Sequence, residues 1–436
     1  MSEELENASN ENEEPVIEEK DIRKEIEDSL TEEEKKEIIK NEKARKKEEK
    51  KLNKSEPVEI VGFSSELTEE EKKQSREIQA NMSEFLSEKL DISEGSGEID
   101  TLPTGIDVLD AILGGGFGCG TFSLIVGNPG TFKSALLAQI IGAAQKKFRG
   151  KLLSSFLDSE VAMTTRRMYQ LGVRNPMLKP YSDITVESVF KTIEAYCAFK
   201  SLKGIYDIPS IVGWDSLANT ITEKEKAGDS LDPSKVMGLK ARILSSVLPR
   251  YVTKMRDYNI SLIVVNQLRD KMTIGPYATQ NPLKYLGMDK DMPGGNAIKY
   301  NCFHLLHLTQ REDLKFEQWG IDGIRLEAKC LKNKLFVPNV KVDLIVEFTQ
   351  GISNFWTNYN FLVNTKRIKP GSWGSLITYP ETKWQGTKKC KEIYDTDDSF
   401  KEAFDLTVKE TIQVELIDRY NTFEFEEEEK EEESDQ

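Results

Sequence analysis

A chain of 436 residues can bury a large core, and 38% hydrophobic with 31% charged residues excludes a collagen-like, disulfide-scaffold or membrane-buried protein. The net charge of -15 argues against a nucleic-acid partner only until its distribution is read. Residues 1–60 carry 13 basic against 21 acidic side chains and residues 422–436 carry 1 against 9, so each end holds -8 and the middle carries +1.

The five cysteines (Cys119, Cys197, Cys302, Cys330, Cys390) are odd in number and form no CxxC pair. They predict reduced thiols, a cytoplasmic location and no zinc site. No apolar run approaches the ~20 residues of a membrane span, and no signal-peptide core opens the chain, so no membrane association is expected. The first zone, 1–60, is rich in Glu, Lys and Asn and reads as a disordered charged arm, either solvating or a contact for other proteins. Over 61–97, Thr68 and Glu71 form a capping box, and Ile78, Met82, Phe85, Leu86 and Leu90 recur at helical spacing. That stripe packs either on its own domain or on a neighbouring subunit.

From 98 to 365, β-branched runs alternate with helical stretches: Phe122–Val126, Lys151–Leu157, Ser210–Trp214, Ile260–Val265, Cys302–Leu308, Ile324–Lys332 and Val340–Phe348. The alternation predicts an α/β, doubly wound and mostly parallel sheet, extended by an antiparallel meander from the last three runs. A small C-terminal subdomain is expected over 366–421, with a helix or two across Ser399–Tyr420, and an acidic tail over 422–436.

The most specific chemical signal follows the first run. Gly127-Asn128-Pro129-Gly130-Thr131-Phe132-Lys133-Ser134 leads into an apolar helix, the arrangement of a P-loop. Backbone N–H groups and the helix dipole would cradle phosphates, Lys133 would neutralise them, and Ser134 would hold Mg²⁺. Phe132 stands where the usual pattern has glycine. The next run ends in Leu157-Asp158-Ser159-Glu160, which puts a carboxylate where it can polarise an attacking water. Asp215 ends the third run as a metal carboxylate would, and Gln267 ends the fourth, where an amide can sense a γ-phosphate. Any one of these is often a solvated strand end; four in order point to an ATPase. His304 and His307, three apart in a predicted strand, face opposite sides and predict no shared metal.

At these residues the chain resembles the RecA recombinases. Leu102-Pro103-Thr104-Gly105-Ile106 through Gly120 is similar to the family's lead-in segment, and Phe132-Lys133-Ser134 resembles the phage UvsX proteins. Met237-Gly238-Leu239, with Arg242 and Ser245 beyond, looks like the helix after the DNA-binding loop L1. Arg269 looks like the opening of loop L2, which Gly294-Gly295-Asn296 closes; inside it Lys271, Met272 and Ile274 suit single-stranded DNA, cations for phosphates and apolar groups for bases. Lys332 and Lys334 match a family pair that reaches the ATP of the adjacent subunit, and Arg167 stands where the family places a tyrosine over adenine. The resemblance implies ATP with Mg²⁺, filaments of this chain on single-stranded DNA, pairing with double-stranded DNA, and a loader or single-strand-binding protein as a further partner. The acidic tail resembles those of the family, which implies competition with DNA. A RecA-fold helicase or translocase and a non-catalytic recombination mediator are the alternatives.

Overall fold

The computed structural model describes residues 99–174, 180–181, 184–228, 238–269, 292–369 and 373–420, together with Lys73. Contacts divide the chain into two units, Met1–Glu98 and Ile99–Gln436, and the second holds the architecture described. The expected N-terminal arm, the apolar stripe of 61–97, the acidic tail, and Met237, Lys271, Met272 and Ile274 lie outside the described residues.

Strands β1 (Thr101–Leu102) and β2 (Phe117–Gly118) form a small antiparallel ribbon. The main sheet takes β3 (Phe122–Gly127), β4 (Leu153–Asp158), β5 (Pro180–Tyr181), β6 (Ser210–Asp215), β7 (Ile260–Gln267), β8 (Leu305–Leu314), β9 (Gly323–Lys332), β10 (Lys341–Glu347) and β11 (Gly351–Ile352). Their spatial order is β11-β10-β9-β8-β3-β7-β6-β4-β5. From β8 to β5 every pairing is parallel, and from β8 outward through β11 every pairing is antiparallel. This is the doubly wound sheet with an antiparallel extension that the strand–helix alternation predicts, a RecA-like α/β core.

Besides two single-turn helices, Glu223–Lys226 and Phe316–Trp319, the helices are α1 (Asp107–Leu113), α2 (Lys133–Lys147), α3 (Thr165–Gln170), α4 (Val186–Lys203), α5 (Leu239–Asp257), α6 (Ala297–Asn301), α7 (Asn354–Asn364), α8 (Thr387–Thr396) and α9 (Asp398–Ile412). Period-2 alternation sorts the central strands onto two cores. Ile125, Ile211, Ile263 and Val265 join Leu136, Leu137, Ile140 and Ile141 of α2 on one face. Leu124, Val126, Val212, Leu262 and Val264 join Val189, Phe190 and Ile193 of α4 and Leu244 and Leu248 of α5 on the other. Buried on both faces, these strands are mostly apolar, with isolated serines such as Ser123, Ser210 and Ser261 among them. Local signals set the helix ends: Thr185 and Ser188 make a reciprocal capping box at the start of α4, and left-handed Gly204 ends it.

Two sequence expectations shift. The run expected from Cys302 starts at Leu305, because Asn296-capped α6 ends with Cys302 as its C-cap. The strand then continues to Leu314 through polar residues that antiparallel pairing with β9 carries, including an Arg311–Glu327 ion pair at 2.6 Å. His304 therefore precedes β8, buried with Nε2 3.1 Å from the Leu113 carbonyl, while His307 lies within the strand. The helical stretch expected over Ser399–Tyr420 is α9 followed by a π-helical turn, Gln413–Asp418, and α8 precedes it. Phe400, Phe404 and Val408 of α9 share a buried cluster with Phe355 and Trp356 of α7 and Leu344 of β10.

Candidate functional site

Parallel strands deliver their C-terminal ends to one edge of the sheet, and the register sets those ends side by side. Gly127 pairs with Gln267 across β3–β7, Asp215 with Val265 across β6–β7, and Asp158 with Asp215 across β4–β6. The cleft above them, about 390 Å³, is lined by Lys133, Ser134, Glu160, Arg167, Asp215 and Gln267 among others. A roomier cleft of about 710 Å³ lies behind α2 at Gly172 and Arg174; it holds none of these six groups.

Between β3 and α2 the chain turns through Asn128, Pro129, Gly130, Thr131 and Phe132. Phe132 is the N-cap of α2 in the left-handed region (φ 56°, ψ 27°), a conformation that costs a non-glycine residue roughly 1–2 kcal/mol. Its ring stacks on Phe348, centroids 6.0 Å apart and planes within 11°. A glycine could not make that contact, which gives the departure from the usual P-loop pattern a physical reason. Lys133 Nζ donates to the Asn128 carbonyl at 2.7 Å and to Thr131 Oγ1 at 3.2 Å. Burial pushes its pKa down to about 8, opposed by the charges of Asp215 and Glu160.

The two metal candidates meet. Ser134 lies beside the Asp215 carboxylate, and burial pushes that carboxyl up to about 6. Asp215 Oδ1 is buried with no hydrogen-bond partner. A buried carboxylate oxygen without a donor, beside a hydroxyl and a phosphate loop, suits a hard divalent cation.

Glu160 sits on a loop that Asp158 builds. The buried Asp158 carboxylate accepts from the Glu160 N–H at 3.0 Å and the Met163 N–H at 2.8 Å, fixing the turn that presents Glu160. Glu160 Oε1 accepts from Gln267 Nε2 at 3.0 Å, Ser216 Oγ at 3.0 Å and Asn219 Nδ2 at 2.7 Å. Sequence reasoning found Glu160 and Gln267 but missed Asp158, Ser216 and Asn219. The first two were visible as strand-end neighbours of chosen residues, whereas nothing local marks Asn219.

Arg167 lines the cleft, but its guanidinium is engaged edge-on. Nη1 donates to the Thr349 carbonyl at 2.7 Å and Nη2 to the Phe348 carbonyl at 3.2 Å. It thus pins the β10–β11 turn to α3, and Phe348 against Phe132. Lys332 and Lys334 do not line this cleft: Lys332 Nζ donates to the carbonyls of Lys299 and Tyr300, and Lys334 lies over the Phe303 ring at 5.7 Å.

The described candidates for DNA contact gather at the start of α5 and the turn before α6. Left-handed Gly238 caps α5, from which Arg242 and Ser245 are exposed. Gly294 packs against Leu217 and Leu244, and Gly295 against Ala241, so the turn through Asn296 rides on α5. Asn266 Nδ2 donates to the Pro293 carbonyl at 2.8 Å, which holds the end of β7, and with it exposed Arg269, near that turn.

Comparison with known proteins agrees with this geometry. Residues 80–353 match the family model "RecA N-terminal domain". The chain is similar to the protein RecA of Helicobacter pylori, 28% identical over 318 residues, which cover 72% of this chain and 84% of that one. RecA of Ehrlichia ruminantium is 28% identical over 298 residues, 68% of this chain and 76% of that one. RecA of Treponema denticola is 27% identical over 289 residues, 66% and 64% respectively. With the matched segment running from before the P-loop through β11, the chain belongs to the RecA family.

Proposed function

We propose that this protein is an ATP-dependent DNA strand-exchange recombinase that forms filaments of itself on single-stranded DNA. One observation carries the reading: the Glu160 carboxylate at the phosphate loop is hydrogen-bonded to Gln267, the residue that ends β7 and leads to Arg269. Nucleotide chemistry and the DNA-facing segment thus share a contact. The Phe132-Lys133-Ser134 loop supports a place in the UvsX-type branch.

In this reading the backbone of Gly127, Asn128, Pro129, Gly130 and Thr131 and the N-terminus of α2 receive the phosphates. Lys133 gives up its contacts with Asn128 and Thr131 to neutralise them. Ser134 and Asp215 would hold Mg²⁺, which supplies charge neutralisation at the phosphate oxygens. Glu160 accepts the proton of the attacking water, and Gln267 exchanges its bond to Glu160 for one to the γ-phosphate. Phe132, braced by Phe348 and Arg167, walls the cleft. Lys332 and Lys334, remote from their own cleft, would reach that of the neighbouring protomer and stabilise charge there. Gly238, Arg242, Ser245, Arg269, Gly294, Gly295 and Asn296 would line the path of the strand. ATP and DNA affinities are then reciprocally coupled.

The test is strand exchange between circular single strands and homologous linear duplex with ATP and Mg²⁺. Joint molecules are expected with the wild-type chain, and none with Arg242→Ala/Arg269→Ala. ATP turnover without any pairing would overturn the recombinase reading in favour of a motor.

A further inference from the structure

We propose that Asn219 is a positioning residue that restrains Glu160 until DNA engages the protein. The inference rests on the reading of Glu160 as the group that accepts the water's proton. Glu160 Oε1 takes three hydrogen bonds, and the shortest, 2.7 Å, comes from Asn219. A carboxylate oxygen has about two lone pairs to offer, so three donors saturate it. Three donors crowd the side of that oxygen a water would approach, so the arrangement describes a base held back from water.

Asn219 belongs to the turn that leaves β6, with its N–H bonded to the Ser216 carbonyl at 3.2 Å. Both DNA-facing segments bear on that turn. Lys240, in the first turn of α5, donates to the carbonyls of Leu217 at 3.1 Å and Ala218 at 3.3 Å. From the other side, Gly294 (φ +102°) lies so close that a Cβ there would stand 2.8 Å from the Leu217 side chain. A shift of the α5 N-terminus or of the Gly294 turn therefore reaches Leu217–Asn219 through direct contact. Gln267 reaches the same carboxylate oxygen from the end of β7. Two amides, one on each path from the DNA-facing residues, thus converge on one atom. DNA seated on Arg242, Arg269 and the Gly294–Asn296 turn would displace the Leu217–Asn219 turn, withdraw the Asn219 amide and free Glu160.

The test is steady-state ATP hydrolysis by the full chain with and without oligo-dT, for wild type and Asn219→Ala. The DNA-free kcat of the variant is expected to rise about ten-fold, the lower end of what one lost hydrogen bond to a charged group is worth, with KM for ATP unchanged. The DNA-stimulated kcat stays within about two-fold, so the stimulation ratio falls. Asn219→Gln, which keeps the amide donor, should restore the ratio. Lys240→Met should lower it as Asn219→Ala does, and decides the matter should Asn219→Ala fail to fold. An unchanged DNA-free rate, or a parallel loss with and without DNA, overturns the inference while leaving the recombinase reading intact. A wild-type enzyme indifferent to DNA overturns both.

Discussion

Phe132 holds a left-handed backbone conformation at the tightest bend of the phosphate loop, and two opposing effects meet there. Removing its ring loses the stack on Phe348, worth about 0.5–1.5 kcal/mol beyond burial. Removing its Cβ as well relieves a left-handed cost of roughly 1–2 kcal/mol. Phe132→Ala keeps the strain and loses the stack, so it should be destabilised by about 2 kcal/mol; Phe132→Gly should lie within about 1 kcal/mol of wild type. Denaturant unfolding of the two variants measures the order, and a glycine variant less stable than the alanine one would contradict the account. Asp215 offers a second prediction. Its carboxyl is pushed up to about 6 by burial, so the proton is favoured in the folded state and competes with a cation as pH falls. The Mg²⁺ concentration for half-maximal ATP turnover should therefore rise steeply below about pH 6. Linkage runs the other way for stability, because a raised pKa leaves the folded state burdened above pH 6 and relieved below it. In Mg²⁺-free buffer at pH 8, Asp215→Asn should thus be more stable than wild type, while losing Mg²⁺-dependent turnover.

At the scale of elements, the phosphate helix α2 is bound to the sheet's antiparallel extension as well as to its parallel centre. The Gln139 side chain of α2 donates to the Ile352 carbonyl at 2.8 Å and accepts from the Ile352 N–H at 2.9 Å. With Arg167 holding the Phe348 and Thr349 carbonyls, this fixes the β10–β11 turn over the nucleotide cleft. Gln139→Ala should cost about 2 kcal/mol in stability by leaving both backbone groups of Ile352 short of a partner, and should weaken ATP binding through Phe348. A variant with unchanged unfolding midpoint would show that the turn is held elsewhere. Elements with strong periodicity were legible in the sequence: the central parallel strands are mostly apolar, and β6 and β7 end in the candidate residues Asp215 and Gln267. α8 was not, because its sequence is mostly polar, and buried Cys390 with partly buried Ile393 and Tyr394 tie it to the core. The site was legible where a residue ends a strand, as Asp215 and Gln267 do, or follows one closely, as Glu160 does. It was not legible where contact crosses the fold, as between Phe132 and Phe348 or Asn219 and Glu160, since nothing local encodes a partner 59 positions away.

For the whole molecule, charge and fold tell one story. The two acidic ends carry -8 each, and the middle of the chain is left at +1, with exposed Arg242 and Arg269 on the side of the Gly294 turn. Among the described residues no helix is long and apolar enough to cross a membrane. The sheet gathers the Gly127–Ser134 loop, Glu160, Asp215 and Gln267 at one edge, and β7, which ends in Gln267, leads onward to Arg269. In the proposed reading DNA controls ATP turnover through Glu160. It is tested most directly by the ATP hydrolysis rate of the full chain with and without single-stranded DNA, repeated on Glu160→Gln. The account predicts strong stimulation by single strands in the wild type and loss of turnover, with ATP binding retained, in the variant. A rate indifferent to DNA, or one that survives Glu160→Gln, would contradict it.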